Sequence, residues 1–292
     1  MLSWLLLSTA ILLAIPVFML LVQVLAAFWY RENLVKEALT ARPSVAVLVP
    51  AHNVSGGVAN TIEHVLAQLG EGDRLLVVAD NCTDDTAERA RAAGAEVVER
   101  QDGERRGKGY ALDFGLSHLA ASPPDIIVIL DADCEFGNGA LEHLVRASEL
   151  TGRPVQALYL MHTPEDAPVK SRIAEFAWIM KSHARPLGAH QLGMPCQFMG
   201  TGMAIPWRLV PALNIATGNI VEDVQLGIDL ALLGKPVLFE PGAVVSSRFP
   251  SGEDGMAIQR TRWEHGHLAT SLKESPRIIA QAVIRRDSRL LW

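Results

Sequence analysis

The first thirty positions, Met1 to Tyr30, carry no charged side chain and are mostly Leu, Ile, Val, Ala and Phe. About 20 apolar residues are enough to cross a bilayer, so this stretch predicts one transmembrane helix, with Pro16 as a possible kink. Trp4 near one end and Phe28, Trp29 and Tyr30 at the other fit interfacial aromatic belts. Arg31, Lys36 and Arg42 follow the span, whereas no Lys or Arg precedes it. The positive-inside rule then puts the N-terminus outside and the body of the protein in the cytoplasm. A cleaved signal peptide is the competing reading, weakened by the missing basic n-region and by the length of the apolar run.

Beyond a charged, helical connector at 32–42, the pattern changes period. Short apolar runs at Val45–Val49, Leu75–Ala79, Ala95–Glu99 and Ile126–Leu130 alternate with helical patterns at Val58–Leu69, at the Ala- and Arg-rich segment ending at Ala93, and from Tyr110 to about Ala120. Continuous β-branched runs suit strands buried on both faces of a parallel sheet, and the alternation implies βαβ units. Thr83 or Asp84 is a plausible N-cap for the second helix, with Gly94 as its stop. The second half is less regular. Val155–Leu160 reads as a strand, and Val169–Ala184 as an amphipathic helix with Ile173, Phe176, Ala177 and Met180 on one face. Cys196–Ile205 reads as a glycine-containing loop and strand, Glu222–Leu233 as a helix, and 237–240 and 243–245 as two short strands. Residues 277–292 set Ile278, Ile279, Val283, Ile284, Leu290 and Leu291 beside Arg285, Arg286 and Arg289, a pattern suited to a helix lying in a membrane interface.

The 292 residues allow one large domain or two small ones, and a net charge of -6 gives no reason to expect a nucleic-acid partner. Three widely spaced cysteines, Cys82, Cys134 and Cys196, contain no C-x-x-C pair and read as reduced, cytosolic thiols.

Candidate chemistry starts at the end of the fourth run. Ile126–Leu130 passes straight into Asp131-Ala132-Asp133. In open α/β sheets the ligand crevice lies beyond the carboxyl ends of the strands, where these aspartates fall. Extended chain puts both carboxylates on one side, suited to one divalent cation and its phosphate oxygens, although a strand followed by an Asx-capped turn explains the same letters. Right-handed crossovers would bring Asp80 and the loop around Lys108 to the same edge.

Six motifs then occur in order: V-L-V-P-A-H-N at 47–53, V-A-D-N-C-T-D-D-T at 78–86, G-K-G-Y-A-L at 107–112, D-A-D at 131–133, V-E-D-V-Q-L at 221–226, and Gln259-x-x-Arg262-Trp263. In this order the chain resembles the inverting family 2 glycosyltransferases of the GT-A fold. The nearest likeness is to the membrane-bound branch with cellulose, chitin and hyaluronan synthases and exopolysaccharide transferases. The resemblance implies an α/β, Rossmann-like domain with a mostly parallel central sheet flanked by helices. It spans 44–270, with a nucleotide-binding half at 44–135 and an acceptor-binding half at 136–270. Residues 1–30 are the anchor, 31–43 the connector and 271–292 an amphipathic interface tail.

The resemblance also implies roles. Pro50, Ala51, Asp80, Lys108 and Asp131 would bind the nucleotide-sugar, and Asp133 with Asp131 would hold Mg²⁺ or Mn²⁺. Asp223 would be the general base and Arg262 would stabilise the diphosphate leaving group. Gly200, Thr201, Gln259 and Trp263 would meet the acceptor, with His265 and His267 as further phosphate or acceptor contacts. The implied activity moves a hexose or N-acetylhexosamine from a UDP-sugar to a lipid-linked or polysaccharide acceptor with inversion. The expected location is the inner or plasma membrane, single-pass, with partner membrane proteins for export. The family's synthases carry several transmembrane helices after Q-x-x-R-W, and only about 29 residues follow Trp263 here, which favours addition of a single sugar. A sugar nucleotidyltransferase and a catalytically degenerate scaffold are the alternatives; the first does not explain E-D together with Q-x-x-R-W.

Overall fold

A computed structural model describes residues 2–30, 41–218, 221–249 and 253–287. The connector prediction therefore falls largely outside the described residues. The chain opens with α1 (Leu2–Ala27), whose 26 residues correspond to about 39 Å at the helical rise. Leu6–Ala27 is long and apolar enough to cross a membrane, and most of its large side chains are exposed. Its C-terminal end seats against a later helix, α7 (Arg185–Gln191). Gly188 permits that contact: a Cβ there would fall 1.7 Å from the Gln23 carbonyl oxygen.

The next elements are β1 (Val45–Ala51), α2 (Val58–Leu66), β2 (Arg74–Asp80), α3 (Thr86–Ala92), β3 (Glu96–Arg100), α4 (Lys108–Leu119) and β4 (Ile126–Ile129). β1 pairs in parallel with β2 and β4, and β2 with β3. The alternate sides of β1 enter two different cores. Val45, Val47 and Val49 pack with Val58, Ile62 and Val65 of α2 on one face, and Ala46 and Leu48 pack with Leu112, Leu116 and Leu119 of α4 on the other. Burial on both faces is why these strands read as unbroken apolar runs. Truncating a fully buried leucine such as Leu48 to Ala is worth about 2–5 kcal/mol.

The second half adds β5 (Glu135–Phe136), α5 (Ala140–Thr151), β6 (Val155–His162), α6 (Val169–Ile179), a π-helical turn at Met180–Ala184, α7, β7 (Met203–Pro206), α8 (Glu222–Leu232), β8 (Leu238–Arg248) and α9 (Glu253–Arg285). The full strand order is β3-β2-β1-β4-β7-β6-β8-β5. β7 runs antiparallel to both β4 and β6, and β5 is antiparallel to β8. The sheet is thus mixed but mostly parallel: β3, β2, β1 and β4 pair in parallel, β6 and β8 pair in parallel with each other, and only β7 and β5 run against their neighbours. Because β2 and β4 flank β1 on opposite sides, the strand order reverses there and opens a crevice at the carboxyl ends of β1 and β4.

Four expectations change. The two short strands expected after Val237 are one strand, β8, whose register against β6 jumps between Ala157 and Leu158 and leaves Pro241 to Ala243 bulged. Lys108 belongs to the first turn of α4, with Gly107 as its cap, not to the preceding loop. On α6 the face carrying Ile173, Phe176 and Ala177 is exposed, while Trp178 turns inward against Tyr159. The helix is apolar on two sides, and periodicity alone does not say which side meets the core. Finally, the boundary drawn at 270 falls inside α9, which runs unbroken through Pro276.

Candidate active site

The crevice is built from strand ends that local bonds lock. At the end of β2, the Asp80 carboxylate pairs with Arg100 Nη1 at 2.6 Å, its register partner on β3, and both side chains are about nine-tenths buried. Arg100 also binds Asp102 at 2.9 Å and the Arg105 carbonyl at 2.7 Å, and lies over the Tyr110 ring. Asn81 Nδ2 donates to the same Asp80 oxygen, Oδ1, at 3.0 Å, so Oδ2 keeps its accepting capacity. Asn53 and Asn81 both take left-handed backbone (φ of 50° and 51°), which asparagine tolerates better than most residues. Asn53 Oδ1 accepts the Thr83 amide and Asn81 Oδ1 the Asp102 amide, each at 2.8 Å. The resulting cavity, about 590 Å³, is lined by Pro50, Ala51, Asp80, Lys108 and Asp131, with Arg106 and Gln101.

A second cavity of about 420 Å³ shares Lys108 and Asp131 with the first and adds Asp133, Gly200, Glu222, Asp223 and Trp263. Lys108 is the junction. Its Nζ donates to Asp131 Oδ1 at 2.5 Å and to the Gly200 carbonyl at 2.7 Å, and stands 3.8 Å from Glu222 Oε1. Gly200 presents that carbonyl with a φ of +85°, a conformation cheap only for glycine. Burial opposes the Lys108 charge, yet Asp131, Glu222 and Asp223 outweigh it and hold the ammonium well above its ordinary pKa. The carboxylates respond in the opposite sense. Glu222 is pushed up to about 7, first by burial and then by Asp223 against the pull of Lys108. Asp223 is raised by burial, again opposed by Lys108. Asp133 has an accessible carboxylate, but crowding by protein and the Asp131 charge raise it.

Donor atoms of Asp131, Asp133 and Cys134 lie within 4.8 Å of one another. Cys134 is buried and its thiol is raised well above normal by that burial, so the hard-cation donors of the group are the two carboxylates. Two carboxylates with room for phosphate oxygens suit Mg²⁺ or Mn²⁺.

Most of the residues singled out from sequence meet here: Pro50, Ala51, Asp80, Lys108, Asp131, Asp133, Gly200, Asp223 and Trp263 line one or both cavities. Thr201 does not. It is fully buried, and its hydroxyl accepts the Asp131 amide N–H at 3.0 Å, so it fixes the aspartate from behind. Gln259 and Arg262 lie on α9, and their side chains fall outside the described residues. His267 lines the second cavity and His265 does not. Sequence reasoning missed Trp178, Lys181 and the contact of Glu222 with Lys108. Glu222 had a signal in its E-D pair; Trp178 and Lys181 had none, because the fold alone brings α6 to the cavity. A larger cavity, about 930 Å³, lies between α8 and α9 and shares no residue with these two.

The sequence profile of the glycosyltransferase like family 2 matches residues 43–266, which includes every residue of both cavities except His267. This chain belongs to that family. As a family 2 glycosyltransferase it is 27% identical over 84% of its length to a probable glycosyltransferase, YdaM, of Bacillus subtilis (strain 168), covering 59% of that protein. It is 38% identical over 64% of its length to glucosyl-3-phosphoglycerate synthase of Mycobacterium tuberculosis (strain ATCC 25618 / H37Rv), covering 60% of it. It is 24% identical over 90% of its length to poly-beta-1,6-N-acetyl-D-glucosamine synthase of Staphylococcus aureus (strain MSSA476), covering 66% of it. The chain thus spans about three-fifths of the length of the first two relatives.

Among solved structures, a mannosyltransferase of Pyrobaculum calidifontis shares the fold, with a TM-score of 0.67 at 19% identity over 90% of this chain and 74% of that one. The M. tuberculosis glucosyl-3-phosphoglycerate synthase, solved with Mn²⁺, UDP and phosphoglyceric acid, matches with a TM-score of 0.52 at 29% identity over 75% of each chain. The same synthase has been solved with Mg²⁺ and UDP (TM-score 0.50, 27% identity, 71% of this chain and 72% of that one). The family match sets the nucleotidyltransferase reading aside.

Proposed function

We propose that this glycosyltransferase moves a hexosyl or N-acetylhexosaminyl unit from a UDP-sugar to a hydroxyl of a membrane-associated acceptor, lipid-linked or polysaccharide, with inversion at the anomeric carbon. One observation carries the reading. Lys108 joins a nucleoside-sized cavity ending at Asp80 to a second cavity containing Asp223, and it does so on Asp131 of the D-x-D pair. A diphosphate between the two cavities would meet one ammonium and two carboxylates able to hold a divalent cation.

In this reading Pro50, Ala51 and Asp80 seat the uridine. Asp131 and Asp133 would hold Mg²⁺ or Mn²⁺, which when bound neutralises diphosphate charge. Lys108 adds a fixed positive charge beside the leaving group, and Arg262 keeps the leaving-group role that its motif suggests. Asp223 accepts the proton of the acceptor hydroxyl as the oxygen attacks the anomeric carbon. The bond from that carbon to the diphosphate oxygen breaks, and UDP departs with the electron pair. A carboxylate raised by burial holds a proton better than one in water, which suits a base. Trp263 and Gly200 border the acceptor. A single displacement gives a β-linked product from an α-linked donor.

The membrane setting is supported by α1 and by exposed apolar side chains elsewhere: Val169, Ile173 and Phe176 on α6, and Leu272, Val283 and Ile284 on α9. The likeness to a poly-beta-1,6-N-acetyl-D-glucosamine synthase supports a polysaccharide acceptor. A cytoplasmic catalytic domain follows from the charges flanking α1. The test is release of UDP from a panel of UDP-sugars by detergent-solubilised protein with Mn²⁺ or Mg²⁺, followed by the product's mass and anomeric configuration. No release from any donor in the presence of membrane extract, or release unaffected by Asp223→Asn, overturns the proposal and leaves a nucleotide-binding scaffold.

A further inference from the structure

Lys181 lines the second cavity, and the reaction above gives it no task. It sits in the π-helical turn between α6 and α7, a rare conformation often found at functional positions. Its Nζ lies 4.8 Å from the centroid of the Trp178 ring and 5.8 Å from that of Trp263. These two indoles are 5.5 Å apart, with their planes 32° from parallel. Trp178 is itself fixed by donating to the Tyr159 carbonyl at 3.0 Å. Among the described residues Lys181 forms no hydrogen bond or ion pair, and aromatic faces are all that hold it. Burial lowers its pKa while the Asp223 charge, beyond pairing distance, raises it in part.

An ammonium held in a cavity without a hydrogen-bonding anion is costly unless a partner arrives. The cation is not simply waiting for the donor. It lines the cavity with Asp223, Trp263 and His267, and is absent from the nucleoside cavity that Lys108 and Asp131 also line. Its neighbours also suit a ligand with an anionic group on a carbohydrate- or glycerol-like body: two indole faces for the body, and Lys181 for the charge.

We propose that Lys181 is an acceptor-specificity residue that recognises a phosphate or carboxylate on the acceptor, next to the hydroxyl that Asp223 deprotonates. This rests on the transferase reading, and it narrows the acceptor to an anionic class. The same anion can come from a lipid headgroup or from a small phosphorylated molecule in solution.

The experiment uses the full chain in detergent or nanodiscs, saturated with UDP and Mn²⁺. Binding is followed through tryptophan fluorescence, with glycerol phosphate against glycerol in solution, and phosphatidylcholine vesicles with against without phosphatidylglycerol. Wild type should favour the probe of net negative charge, glycerol phosphate or the phosphatidylglycerol vesicle, by roughly tenfold or more, the size of a charge-assisted hydrogen bond. Lys181→Met should lose that preference, and Lys181→Arg should keep most of it. A preference seen only in solution assigns a soluble phosphorylated acceptor, and one seen only with vesicles assigns a lipid headgroup. Equal binding of net-anionic and net-neutral probes by wild type, or a preference that survives in Lys181→Met, overturns the proposal. UDP binding measured first on each variant checks that it folds. Wild type failing to bind UDP would sink the transferase reading itself, a different result from UDP binding without an anion preference.

Discussion

The nucleotide half and the acceptor half of the crevice hold their charges in opposite ways. In the first, Asp80 is paired with Arg100, and Arg100 in turn is satisfied by Asp102 and the Arg105 carbonyl. Asp80 and Arg100 thus have partners before any ligand comes. In the second, Asp223 and Glu222 share one ammonium with Asp131, and both are raised by burial. Among the described residues Lys181 has only indole faces. A preorganised network suits recognition of one constant group, the nucleotide. Undersatisfied groups are poised to change protonation or to accept a partner during turnover, and perturbed titrations of this kind concentrate at reactive sites. The contrast predicts that variants in the two halves fail differently.

The largest effect belongs to Asp223→Asn. Removing a general base typically costs about 10²–10⁴-fold in turnover, so kcat should fall by that order while UDP affinity stays near wild type. Calorimetric UDP titration beside a steady-state assay checks it. A loss of UDP affinity equal to the loss of turnover would break the division of labour between the halves.

Arg100→Met tests the other half. It strands the buried Asp80 carboxylate, and removing one member of a buried pair is worth about 3–5 kcal/mol of stability. Denaturant unfolding should show that loss, with weakened UDP binding and little change in turnover at saturating donor. A stable variant with normal UDP affinity would show that the Asp80 network is packing alone.

What the sequence made legible follows the same divide. The run Ile126–Leu130 ending in Asp131-Ala132-Asp133 carries its position within a few adjacent letters, because strand, edge and carboxylates are contiguous. Asp80, the last residue of β2, was legible for the same reason, whereas Lys108 was placed by the crossover and by its motif. Thr201 was assigned to the acceptor because it neighbours Gly200, yet its hydroxyl turns the other way and binds the Asp131 amide. That contact joins positions 70 residues apart across the β4–β7 pairing, and no local pattern encodes it. Lys181 was unread for a related reason: it lies in a π-helical turn, which shifts the phase of the helix just where periodicity would have been used to place it, while Trp178, on α6, reaches the cavity only through the fold. The exposure of the Ile173 and Phe176 face of α6 was not legible, because hydrophobic spacing reports a stripe and not what covers it.

Thr201→Val sharpens the comparison at the seam. The side chain keeps its shape and loses the acceptor for a backbone N–H, a cost of about 1–3 kcal/mol when that donor is left unsatisfied. Because Asp131 lines both cavities, donor KM should rise several-fold and the Mn²⁺ requirement should increase with it, while the acceptor KM moves less. An effect confined to the acceptor would return Thr201 to the role its position in the chain suggested.

The smallest effect is a pH dependence at Glu222. Its carboxyl titrates at about 7 in the folded protein, against an ordinary value of 4.5, because burial and the Asp223 charge outweigh Lys108. Between those two values the unfolded chain has released this proton and the folded chain still holds it, so ionisation favours unfolding and stability declines as pH rises. Below 4.5 both states are protonated and the penalty is absent; above 7 it is complete. Glu222→Gln removes the titration. Relative to the variant, wild type should therefore lose on the order of 1–3 kcal/mol between pH 5 and pH 8. Parallel thermal or denaturant melts at the two pH values measure it. A stability gap independent of pH would mean that Lys108 already holds Glu222 ionised throughout, and that the acceptor half is as fully paired at rest as the nucleotide half.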